Sequence, residues 1–118
     1  MTYQAHRDRV PAASRKILEA LSKWPKLESS PHRFGGIEYR VYGAEIGHTH
    51  GDHQADVRFN REIRDRLVLE DRAEKHPILP DTGWVSLPIR EEEDIDRAIA
   101  LFREAYDWVC ASKEKSKP

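Results

Sequence analysis

The stretch Ile46-Gly47-His48-Thr49-His50-Gly51-Asp52-His53-Gln54-Ala55-Asp56-Val57-Arg58-Phe59 packs three of the six histidines and two aspartates between strand-like flanks. Gly51-Asp52 at its centre is a turn signal with glycine first, the preference of a type II′ hairpin. A two-residue turn there sets His50 opposite His53, Thr49 opposite Gln54, His48 opposite Ala55, Ile46 opposite Val57 and Glu45 opposite Arg58. In that register the histidines share the face of Ile46, Val57 and Phe59, and Asp56 points the other way. A second glycine-first turn at Gly43-Ala44 pairs Val41 with Ile46, Tyr39 with His48 and Ile37 with His50, which predicts a three-strand antiparallel meander. A one-residue slip would put Ile37, Val41 and Val57 in water, so the apolar alternation favours this register.

Working outward, Pro11 suits a first helical turn, and Ile17, Leu18, Leu21 and Trp24 form one stripe before Pro25 ends it. Residues 25–36 carry no periodicity and read as a loop. Asn60 is a good N-cap for a helix to about Asp71, with Ile63, Leu67 and Val68 as its apolar edge. Residues 73–78 are predicted extended. Leu79-Pro80-Asp81-Thr82-Gly83 is a turn signal, and Val85, Leu87 and Ile89 alternate in a strand whose Pro88 marks an edge or an end. Ile95, Ala98, Ile99, Phe102, Ala105, Tyr106 and Val109 follow helical spacing without a break. The order is helix, meander, helix, one or two strands, helix. This predicts one α+β domain over residues 1–118, with a core at about 10–112, a flexible tail at 113–118 and an antiparallel sheet covered by helices.

Composition narrows the function classes. Twenty Lys and Arg against twenty-one Asp and Glu leave a net charge of −1, which argues against nucleic acid as the partner. No stretch approaches the roughly 20 apolar residues of a membrane span. One cysteine, Cys110, excludes an internal disulfide and reads as a packing residue; with no apolar leader in residues 1–9, the expected setting is cytoplasmic. The run Glu91, Glu92, Glu93, Asp94 suits the positive end of the last helix. No glycine-rich phosphate loop, serine elbow or Cys-x-x-Cys pair is present.

Chemistry therefore concentrates on the histidines. His48 and His50, at i and i+2 on a strand, project from one face and can converge on zinc or iron. A third ligand is needed: His53 across the hairpin, His76 from the extended segment, or Asp52 in the turn completing a two-histidine, one-carboxylate set. Asp56 is expected to orient a ligand from behind. The structural alternative is that these imidazoles only end an apolar face at its wet edge. The string His48-x-His50-x-Asp52-His53 also fits the H-x-H-x-D-H pattern of metallo-β-lactamase-like hydrolases, but the roughly 60 residues that follow are too few for that two-sheet fold.

The blocks Ile46-Gly-His-Thr-His-Gly-Asp52, Ala55-Asp-Val-Arg-Phe59, His76-Pro-Ile-Leu-Pro-Asp-Thr-Gly-Trp-Val85 and Arg103-Glu-Ala-Tyr106 together resemble the small stand-alone luciferase-domain family. The second half is also similar, more loosely, to the YjbR-type α+β fold. The luciferase resemblance implies a site at His48, His50, Asp56, His76 and Trp84. Metal ligands are expected at His48, His50 and His76, and a small ligand against Asp56, His76 and Trp84. No flavin is expected, because the chain is too short for the flavin-dependent barrel. The competing expectation is a non-enzymatic YjbR-like module that contacts protein or nucleic acid through an exposed sheet edge or a basic patch such as Arg58, Arg61, Arg64 and Arg66.

Overall fold

The central hairpin forms, displaced by one residue from the register its turn signal suggests. In the computed structural model, which describes residues 10–32 and 35–115, His50 pairs with Gln54, Thr49 with Ala55, His48 with Asp56 and Gly47 with Val57. The turn is centred on Gly51-Asp52, closed by the His53 N–H donating to the His50 carbonyl at 3.3 Å. His53 stays in the loop, however, and its carbonyl accepts from Ile89 N–H at 2.9 Å. The loop has three residues instead of two, and that extra residue brings Asp56 onto the face of His48.

The preceding turn is displaced as well. Val41 pairs with Ala44 around Tyr42 and Gly43, whose φ values of 51° and 77° are the paired left-handed conformations of a tight hairpin. Two residues further, Arg40 pairs with Glu45 but Tyr39 with Gly47, which leaves Ile46 as the extra residue of a β-bulge. The bulge changes the parity of the strand. Ile46 turns into the core with no exposed surface, and Glu45 joins His48 on the opposite face.

Among the described residues the sheet has six antiparallel strands in the order β1-β2-β3-β4-β6-β5. Their spans are β1 Leu27–His32, β2 Gly36–Val41, β3 Ala44–His50, β4 Gln54–Arg58, β5 Glu74–Lys75 and β6 Trp84–Pro88. The helices that cover it among the described residues are α1 Ala13–Leu21, α2 Arg61–Leu69 and α3 Glu93–Lys115. The α+β domain and its helices match the sequence expectation, and Asn60 caps α2 by accepting from Ile63 N–H at 2.8 Å. β1 replaces the expected loop. It is an edge strand of Leu-Glu-Ser-Ser-Pro-His with four successive exposed residues, so it carries no apolar alternation, and an edge tolerates its proline. Residues 1–9 and the last three of the expected tail lie outside the described residues; α3 itself runs on to Lys115.

Core residues sit on one face of the sheet. Tyr39, Val41, Ile46, Ala55, Val57 and Val85 meet Ile17 and Leu21 of α1 and Ala98, Leu101, Phe102 and Ala105 of α3. Each fully buried large apolar side chain here contributes roughly 1.5–3 kcal/mol. Phe102 packs edge-on against Tyr39, with ring centroids 5.2 Å apart. Its ring also lies over Gly47, where an added Cβ would sit 2.7 Å from Phe102 Cε1 and clash with the Asp56 carbonyl, so only glycine fits that crossing. The Asp52 carboxylate accepts from Ser14 N–H at 2.8 Å, and the Thr49 and Ser14 hydroxyls lie 3.3 Å apart, pinning the start of α1 onto the β3–β4 hairpin. Thr49 and Asp52 are thus spent on the helical side.

Candidate metal site

The other face of β3 and β4 holds the histidines. With Thr49 and Gly47 turned to the helices, strand alternation sends His48 and His50 outward, and the observed register puts Asp56 directly beside His48. Asp56 is fully buried. Its two oxygens have different surroundings. Oδ1 accepts from the Ser86 hydroxyl at 2.7 Å and from Gln54 Nε2 at 2.9 Å. Oδ2 faces three imidazole Nε2 atoms: His50 at 2.8 Å, His76 at 3.3 Å and His48 at 3.4 Å.

His76 reaches this point from the segment after β5. Its Nδ1 accepts from the backbone N–H groups of Ile78 and Leu79, both at 3.1 Å, which folds the chain around the ring. The far end of the same loop is held by Arg64 of α2, whose Nη1 donates to the carbonyls of Pro80 and Thr82 at 2.8 and 2.7 Å. His48 has a carboxylate on either side, with Nδ1 2.8 Å from Glu45 Oε2 and Nε2 toward Asp56. Trp84 closes one wall, 5.3 Å from His48 and 6.4 Å from His76 between ring centroids. His48, His50, His53, Gln54, Asp56, His76, Pro77 and Ile78 line an open depression of about 330 Å³.

Electrostatics follow from these contacts. Burial raises the Asp56 pKa, but hydrogen bonds from His48, Ser86, Gln54 and His50 outweigh it and hold the carboxyl well below its usual range. Burial lowers that of His48, and the bonds to Asp56 and Glu45 more than offset it, so its pKa is raised. The floor of the depression is therefore a buried carboxylate among imidazoles.

His48, His50 and Asp56 offer one donor atom each, all within 4.8 Å of one another, and so could hold an ion. His32, Glu45 and His48 meet the same distance test but converge less well. His32 lies flat on His48, with centroids 4.2 Å apart and planes 7° from parallel. Lone pairs in stacked rings run side by side, so a cation in the plane of one ring lies out of the plane of the other. The Nδ1 of His32 is enclosed without a hydrogen-bond partner among the described residues.

Of the residues expected from sequence, the structure gathers His48, His50, Asp56, His76 and Trp84 in one place and leaves the exposed His53 at the rim. Asp56 was expected behind the sheet and stands in front, because the register moved by one. Sequence reasoning passed over Glu45, Gln54 and Ser86. One signal was available for Glu45: a glycine inside a strand, here Gly47, commonly marks a bulge, and a bulge reverses the facing of what precedes it.

Comparison with known proteins adds the family. No curated protein and no solved structure matches the chain. The family model described as "Luciferase domain" matches residues 43–105, more than half of the 118 residues. The matched segment runs from the β2–β3 turn into α3 and carries His48, His50, Asp56, His76 and Trp84, so the chain belongs to the luciferase-domain family.

Proposed function

We propose that this protein binds one divalent transition ion, zinc or iron, on His48 Nε2, His50 Nε2 and Asp56 Oδ2, and handles a small ligand at the open side of that ion. The observation that carries this reading is the convergence of three imidazole Nε2 atoms on a single oxygen of a fully buried carboxylate. Where an imidazole turns the lone pair of Nε2 toward that carboxylate oxygen the two repel, and a cation held between them would relieve the repulsion. Ser86 and Gln54 occupy Oδ1, which leaves Oδ2 as a single ligand atom. Two histidines and one carboxylate with open positions form the set typical of non-haem iron and of catalytic zinc. Iron suits oxidation and zinc suits hydrolysis. The small ligand would lie in the depression between His76 and Ile78, with Trp84 as the wall behind His48.

The alternative of a YjbR-like binding module rests on Arg58, Arg61, Arg64 and Arg66, and two of these are engaged. Arg64 is buried and bonded to the 80–82 carbonyls, and Arg66 pairs with Glu70 and Glu104. The metal reading is therefore preferred. Its test is metal content by inductively coupled plasma mass spectrometry on untagged protein, alongside a His48→Ala/His50→Ala double variant. One equivalent of zinc or iron in the wild type, absent from the variant at unchanged circular dichroism, is expected. Metal-free wild type after reconstitution with either ion rules the centre out.

A further inference from the structure

His48 and His76 are not equivalent, because the nitrogen remote from Asp56 has an opposite kind of partner in each. A neutral imidazole carries one N–H and one lone pair, and the group on the far nitrogen decides which faces inward. In His48 the far nitrogen is Nδ1, 2.8 Å from the Glu45 carboxylate, which can only accept. Asp56 on the other side is also an acceptor but lies farther, 3.4 Å from Nε2, so in the neutral ring the proton is drawn to Nδ1 and the lone pair of Nε2 is the one offered to an ion. In His76 the far nitrogen, also Nδ1, receives two backbone N–H groups at 3.1 Å, from Ile78 and Leu79, which can only donate. The lone pair is held at Nδ1, and the proton is on Nε2, 3.3 Å from Asp56 Oδ2.

We infer that these outer hydrogen bonds sort the histidines into two roles: Glu45 makes His48 a ligand through Nε2, and the Ile78 and Leu79 amides make His76 an N–H donor beside the ion, outside its coordination shell. For His76 to bind through Nε2 it would have to release both amides, which would then lack their partner, or become an imidazolate. An N–H directed into the depression favours an oxygen-donor ligand at the open position of the ion, because such a ligand can accept from His76 while bound. Glu45 reaches His48 only through the bulge at Ile46, so a backbone irregularity sets the role of a side chain three residues on. This assignment rests on the proposed centre for its metal half, while the tautomers belong to the metal-free protein as well.

The experiment is long-range proton–nitrogen correlation NMR on full-length protein with nitrogen-labelled histidine, metal-free and then titrated with zinc. His76→Gln and Glu45→Gln variants are compared for zinc affinity by chelator competition. Expected are an Nδ1–H signal for His48 and an Nε2–H signal for His76 in the metal-free protein. Zinc then shifts Nε2 of His48 and His50 and leaves Nε2 of His76 protonated. His76→Gln keeps one zinc equivalent, and Glu45→Gln weakens zinc by roughly 10–100-fold, the usual effect of losing an outer partner. An Nδ1–H tautomer at His76, zinc displacing its Nε2 proton, or His76→Gln losing zinc as completely as the His48→Ala/His50→Ala variant each overturns the assignment. Wild type that takes up no zinc while showing the two opposite tautomers refutes the metal centre and upholds the sorting.

Discussion

The two faces of the sheet are built from alternate residues of the same strands and obey different rules. Toward the helices, Tyr39, Ile46, Val57 and Val85 meet Phe102 and Leu101 in a packed apolar layer, where any neighbour of the right size contributes. On the other side, Glu45, His48, His50, Asp56, His76 and Ser86 form a chain of paired polar atoms in which each depends on its particular partner. One face tolerates approximation and the other does not. The lesson is that in β3 and β4 stability and chemistry are separable by parity: odd changes strike the core, even changes the site, except where the bulge at Ile46 exchanges them.

Substitutions can sharpen that contrast. The largest effect is expected on the helical face, where Phe102→Ala empties a fully buried ring site and lowers stability by about 3–5 kcal/mol in a urea titration. A loss below about 1 kcal/mol would mean that the core is looser than its burial implies. Next is a change in the opposite direction. The Tyr39 hydroxyl is buried with no hydrogen-bond partner among the described residues, and burial pushes its pKa up, so Tyr39→Phe removes an unsatisfied group and should stabilise by about 1 kcal/mol. Destabilisation would show that the hydroxyl has a partner after all.

The smallest effect belongs to the site face and depends on pH. His48 has a raised folded-state pKa, so its contribution is fully present below the unfolded value of about 6.5 and is lost as pH climbs through the folded one. Chelator-treated protein should therefore have a lower denaturation midpoint at pH 9 than at pH 6, with the difference reduced in Glu45→Gln. An equal slope in that variant would break the link between the two side chains.

Much of the helical face was legible in sequence. Ile95, Ala98, Phe102 and Ala105 announce α3 by their spacing, Asn60 announces the start of α2, and the meander's existence follows from Gly43 and Gly51. The register was not legible, because a glycine-first pair permits a two- or a three-residue loop, and the choice depends on packing beyond the hairpin. Ser14 holding Asp52 and Ile89 holding the His53 carbonyl are such contacts, both with residues more than 30 positions away along the chain. β1 was hidden for another reason: an edge strand exposed along Glu28, Ser29, Ser30 and Pro31 has no apolar rhythm to read. The histidines could be found from their composition, but the partners that give each its role could not.

The strand order has a consequence for how the cluster comes apart. β3 and β4 are the central pair of the six strands, so His48, His50 and Asp56 stand on backbone that opens only with the sheet itself. His76 hangs from β5, two residues long at the outer edge, followed by a loop that exposes Ile78 and Leu79. Opening free energies in a protein range from nearly zero at such margins to the full unfolding value at the centre. The wall that carries His76 is therefore the part of the depression expected to open first, while the floor on β3 and β4 opens only with the sheet.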